Sequence, residues 1–140
     1  MAANTQFSIA VHVLAGLGAR ARRGERASSG TLAQSVNACP SFVRRVMSKL
    51  SKSGLVRATT GKSGTCALAR DPRDITLLDV YRAVEAPKAF AIHHYPAKDQ
   101  CAVSCGIKPA LQKVLDKTQD SMERSLGTTT LADVLRDLKV

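Results

Sequence analysis

Apolar residues recur at helical spacing along most of the chain. Phe7, Ala10, Val11, Val13, Leu14 and Leu17 form a broad stripe that predicts a first helix over Phe7 to Leu17. The basic, glycine-bearing run from Gly18 to Arg26 has nothing to bury and reads as a loop. Ser28, Ser29 and Thr31 then offer N-cap oxygens ahead of Leu32, Ala33 and Val36, a short second helix that ends near Asn37. Pro40 suits the first turn of a third helix, where its missing N–H is not needed. Phe42, Val43, Val46, Met47 and Leu50 follow on one face until Ser53-Gly54 closes it.

The period then shifts. Leu55 to Thr60 alternates like a strand, Gly61-Lys62-Ser63-Gly64 is turn chemistry, and Thr65 to Leu68 returns as the second arm of a hairpin. After Asp71-Pro72, the run Thr76-Leu77-Leu78-Asp79 has the form of a capping box and opens a helix ended by Pro87. Lys88 to Gln100 reads as a loop. Ile107, Leu111, Val114, Leu115, Thr118, Met122 and Leu126 then mark a long helix of about twenty residues, roughly 30 Å by the helical rise. A second capping box, Thr130-Leu131-Ala132-Asp133, opens a last short helix able to fold back on the N-terminal part.

These elements describe a mainly α chain with a small β-hairpin wing: a winged helix-turn-helix domain followed by a long C-terminal dimerisation helix. The divisions expected are 1–86 for the helix-turn-helix domain, 87–106 for a sensor loop, and 107–140 for the long helix and its short successor. So small a domain cannot cover the full stripe of the long helix, which predicts a homodimer.

Charge sharpens the picture. Residues 1 to 70 carry 11 Lys/Arg against one carboxylate, Glu25, whereas residues 71 to 140 carry 10 of each sign, so the net +10 belongs to the helix-turn-helix half. Between Glu25 and Asp71 there is no carboxylate at all, and the polar face of the third helix is only Ser, Arg and Lys. A merely solvated helix usually mixes signs; this one suits a groove lined by acceptors, where Arg reads guanine edges or phosphates and Ser permits close approach. The candidate DNA contacts are Ser29, Ser41, Arg44, Arg45, Ser48, Lys49 and Lys52, with Lys62 and Ser63 at the tip of the wing. Aromatic residues are 4% of the chain and Trp is absent, which disfavours stacking on single strands, so double-stranded operator DNA is the expected partner.

Other classes find little support. The first apolar stretch is broken by Ser8, His12, Gly16 and Gly18, is too short to span a bilayer, and follows no cleavage signal, so the expected location is the cytoplasm and no membrane partner is expected. There is no C-x-x-C in a βαβ setting, no carboxylate pair in a cleft-like context and no phosphate-binding glycine loop, so an enzyme is not expected.

Val43-Arg44-Arg45 through Leu50, Ser53-Gly54-Leu55-Val56, the Gly61 to Gly64 turn and Leu68-Ala69-Arg70 make up one set of marks. Asp74-Ile75-Thr76-Leu77, Val80-Tyr81-Arg82-Ala83-Val84-Glu85 and Thr130-Leu131-Ala132-Asp133-Val134 make up another. Together they resemble the Rrf2 family of bacterial winged helix-turn-helix transcription regulators over nearly the whole length. The resemblance implies a dimer on operator DNA, usually a repressor, with the long helix as its interface.

Best-known members of that family hold an iron-sulfur cluster on three cysteines before the long helix. Here only Cys101 and Cys105 are offered, spaced C-x3-C, behind His93-His94-Tyr95-Pro96. The pattern is similar to a branch without a cluster, some members of which sense oxidants through a thiol. The expectation is therefore no cofactor, no metal, and redox sensing by Cys101, Cys105 and Cys39, each at or near a helix N-terminus that favours thiolate. The alternative is an iron-sulfur or metal-dependent regulator of the same family, with His93 or His94 completing the ligands.

Overall fold

The computed structural model describes residues 5–58, 64–96 and 100–139. Its elements are α1 (Gln6–Arg22), α2 (Ser29–Val36), α3 (Pro40–Lys52), β1 (Val56–Ala58), β2 (Cys66–Leu68), a 3-10 turn (Pro72–Asp74), α4 (Leu77–Ala83), α5 (Ala102–Thr128) and α6 (Leu131–Asp137). Strands β1 and β2 pair antiparallel, with Val56 opposite Leu68 and Ala58 opposite Cys66. The fold is thus mainly helical with one hairpin and a long helix near the C-terminus, as the periodicity predicts.

The core follows the apolar stripes. Val13 and Leu14 of α1, Leu32 of α2, and Val43, Val46 and Leu50 of α3 are buried together with Ile75, Val80, Leu131 and Leu135. Ser28 caps α2, its Oγ accepting from the Thr31 N–H at 3.2 Å, and Asn37 ends it in the left-handed region at φ 58°, a conformation Asn tolerates. Both capping boxes form as the sequence predicts, at Thr76/Asp79 and Thr130/Asp133. They also meet: Leu77 N–H donates to Thr129 O at 2.9 Å and Leu131 N–H to Ile75 O at 2.8 Å. This short antiparallel bridge docks the start of α6 beside the start of α4, and Leu131 and Leu135 then pack into the N-terminal core.

Two boundaries differ from the sequence reading. The first helix does not stop at Leu17 but continues to Arg22, and Gly18 within it leaves room for α6: a Cβ there would stand 2.8 Å from Leu135 Cδ1. Arg20 and Arg22 therefore sit in a last helical turn, where cations oppose the helix dipole favourably, rather than in a loop. We expect Gly18→Val to cost about 1–3 kcal/mol through overpacking against fully buried Leu135. A urea midpoint lowered correspondingly at unchanged slope checks this.

The long helix begins at Ala102, five residues before Ile107, and takes in Cys105, Gly106 and Pro109. Gly106 and Pro109 disfavour helix and hid this first turn from the periodicity. A thiol caps it: Cys101 Sγ accepts from Ser104 N–H at 3.3 Å. The C-terminal half of α5 leans on α4 through Gln119, the one residue of the helix that is buried. Its Nε2 donates to Tyr81 Oη at 2.9 Å and its Oε1 accepts from Ala89 N–H at 3.0 Å. The N-terminal half leaves Val103, Ile107, Leu111 and Val114 exposed.

Candidate nucleic-acid interface

Burial of Val43, Val46, Met47 and Leu50 fixes the rotation of α3, and the opposite face, Ser41, Arg44, Arg45, Ser48 and Lys52, is exposed. Between this face and the hairpin lies a cleft of about 400 Å³, walled by Arg44, Ser48, Ser51 and Lys52 on α3 and by Ala58, Gly64 and Cys66 on the hairpin side. Ser29, the first residue of α2, also lines it. Ser29, Arg44, Ser48 and Lys52, picked out separately from the sequence, are therefore neighbours around one recess. Its lining contains no carboxylate. Such a recess supplies guanidinium, ammonium and hydroxyl donors, with the N-terminus of α2 at its edge, to any row of phosphate or base acceptors that enters.

Arg45 lies on the flank, its guanidinium 5.5 Å over the Phe42 ring, in a separate small hollow with Gln6, Val46 and Lys49. Lys49 does not join the cleft. Its Nζ donates to Gln6 Oε1 at 3.1 Å and to Val84 O at 3.3 Å, tying α3 to α1 and to the end of α4. Lys49 sits next to the apolar stripe on the helix circumference, so a polar pattern alone cannot separate it from the exposed face. Lys62 and Ser63 lie outside the described residues.

The sequence matches the Rrf2 family, described as iron-dependent transcriptional regulators, over residues 3–137. The chain belongs to the Rrf2 family. This Rrf2 chain is 36% identical to YwnA of Bacillus subtilis (strain 168), by name an HTH-type transcriptional regulator, with 96% of this chain and 98% of YwnA covered. A crystal structure from Lactobacillus plantarum, named as a transcriptional regulator, superposes with a TM-score of 0.81 at 28% identity over 96% of this chain and 90% of that one. CymR, the global cysteine regulator of B. subtilis, shares the fold at 21% identity, with a TM-score of 0.70 over 97% of each chain. The Rrf2 chain is accordingly a DNA-binding, winged helix-turn-helix transcription regulator and not an enzyme. No helix among the described residues is long and apolar enough to cross a membrane.

The cysteines of this Rrf2 chain occupy different settings. Cys39 is exposed at the N-cap of α3, its Sγ 3.1 Å from Ser41 Oγ. Hydrogen bonds from the Ser41 side chain and from the backbone at Ser41 and Phe42, with the Arg44 charge behind them, hold its thiol below the ordinary value. Cys66 lies in the cleft wall, where burial pushes its thiol up. Cys101 and Cys105 are exposed at the start of α5, one turn apart. For the iron of the family description, the fit is poor: among the described residues no three of His, Cys, Asp and Glu gather at a distance that could hold a metal. His93 is instead stacked on Tyr95, ring centroids 4.9 Å apart.

Proposed function

We propose that this regulator is a dimeric repressor that seats the cleft between α3 and the hairpin on operator DNA and releases it when a thiol is oxidised. The observation that carries the reading is the carboxylate-free cleft that gathers Ser29, Arg44, Ser48 and Lys52. In it, α3 enters the major groove, Arg44 and Ser48 face base edges, and Lys52 and Ser29 meet phosphates. Arg45 contacts the backbone from the flank, and Ser41 marks the entry of the helix. Two chains pair through the exposed half of α5, placing two α3 helices in twofold register.

Selection of duplexes from a random library by the purified protein tests this. The expected product is an inverted repeat whose binding weakens steeply with salt, by about 0.9 in log K per log salt for each phosphate neutralised. A library that remains unenriched in dilute salt would refute it.

The branch without a cluster fits two cysteines better than three thiolate ligands, so anaerobically purified protein is expected to be colourless, and a brown chromophore would overturn that assignment. Oxidation starts where thiolate is favoured. The Cys39 thiolate attacks the O–O bond of a peroxide; a sulfur–oxygen bond forms, hydroxide leaves, and the sulfenic acid stands at the N-cap of α3 beside Ser41. A low-molecular-weight thiol then attacks the sulfenic sulfur, water leaves, and a mixed disulfide forms.

Titration of the DNA complex with hydrogen peroxide distinguishes the thiols. Release from the wild type that is lost in Cys39→Ser supports the order given. Release that persists in Cys39→Ser and vanishes in Cys101→Ser would move the primary thiol to α5.

A further inference from the structure

A second, larger cavity of about 910 Å³ lies between the last turn of α1, the hairpin, the 3-10 turn and α6, and it shares no lining residue with the α3 cleft. Five guanidinium groups line it, from Arg22, Arg57, Arg70, Arg73 and Arg136, against one carboxylate, Asp71. That carboxylate is already taken: Arg73 donates to it from Nε at 3.1 Å and Nη2 at 3.0 Å. Behind the rim, Asp79 stands 3.8 Å from Arg70 and Asp133 pairs with Arg136, which moderates the charge without closing the space. Arg57 makes no ion pair among the described residues.

The floor is of another character. Leu68 of β2 lines it together with Gly18 and Ala21 of α1 and Ala132 of α6, and these three helix positions carry little or no side chain to fill the hollow. The fold therefore keeps an open recess of mixed character, with small and apolar side chains beside guanidinium forks that match carboxylate and phosphate geometry. Its volume is that of a small-molecule site. A DNA backbone offers charge without an apolar body to fill such a floor.

We propose that this cavity binds a small dianion with an apolar body, a phosphomonoester or a dicarboxylate, whose charged groups engage Arg57 and Arg136 while the body rests on Gly18, Leu68 and Ala132. Guanidinium groups from α1, the hairpin, the 3-10 turn and α6 together offer more positive charge than one monoanion neutralises, which favours a dianion. An occupant joins the hairpin to α6 and stands independent of the DNA reading.

The test is calorimetric titration of the full chain in dilute salt with phenyl phosphate and with phthalate, at a pH where both are dianions, and with benzoate as the monoanion of the same ring. The expected result is saturable binding of one dianion per chain, with benzoate weaker by about tenfold or more. Phenyl phosphate or phthalate binding more tightly assigns the chemistry of the head group. Arg57→Ala and Arg136→Ala should each weaken the dianion by about tenfold. Ala132→Leu, which fills the floor, should abolish binding, and Arg44→Ala should leave it unchanged. No saturable binding of either dianion would overturn the proposal, as would equal loss in Arg44→Ala or retention in Ala132→Leu. If Arg57→Ala and Arg136→Ala spare the dianion but weaken duplex binding as Arg44→Ala does, the rim belongs to DNA and the proposal also fails.

Discussion

Arg44→Glu is expected to lower affinity for the selected operator by about 100-fold or more, because it removes a contact worth roughly 1–3 kcal/mol and sets a carboxylate against acceptors and phosphates. Arg44 is exposed and lines the cleft beside Ser48 and Lys52, with no acidic neighbour in the lining to absorb the change. No ion pair involves it among the described residues, so the fold should be indifferent and the urea midpoint unchanged. Fluorescence anisotropy with a labelled duplex reads the loss. Arg44→Ala distinguishes its partner: relaxed preference at one base position means that Arg44 reads an edge, whereas a uniform loss with a salt slope reduced by about 1 means that it holds a phosphate. Retained affinity in Arg44→Glu would remove α3 from the groove. Lys49→Ala is the instructive contrast, since its bonds to Gln6 and Val84 make it a clamp between helices, and its loss should register in stability before affinity.

Leu111→Asp combined with Val114→Asp should convert the protein to a monomer and reduce operator binding by about 100-fold or more, through loss of the second half-site. These two residues are exposed with Val103 and Ile107 on the N-terminal half of α5, at steps of 4, 4 and 3 along one face. The other half is held by Gln119, Tyr81 and the Arg82–Glu123 pair at 3.9 Å, so the helix itself should survive the substitutions. Sedimentation velocity and circular dichroism on the same sample separate the outcomes: an unaltered helical spectrum with halved mass supports the interface. An unaltered mass would place the dimer contact elsewhere.

Much of this architecture was legible because its signals are local. The stripe Val43, Val46, Met47, Leu50 orients α3 without help from the rest of the chain, and the Thr76/Asp79 and Thr130/Asp133 boxes are complete within four residues. What the sequence concealed depends on contacts between distant elements. Gly18 reads as a breaker until Leu135 is seen to need the space, and Lys49 reads as a groove contact until Gln6 and Val84 claim its ammonium. Gln119 sits at helical spacing from Leu115 and Met122, so a polar residue in an apolar row was its only sign. Arg22, Arg57, Arg70, Arg73 and Arg136 are scattered over more than a hundred positions, and only the folding of α6 against α1 assembles them.

Two copies joined through α5 should place two α3 clefts on one duplex. Sedimentation of the purified protein in dilute salt, alone and with an enriched duplex, tests it most directly. The expected species is a dimer that carries the duplex with it as two chains per site. A monomer that leaves the duplex behind would contradict it.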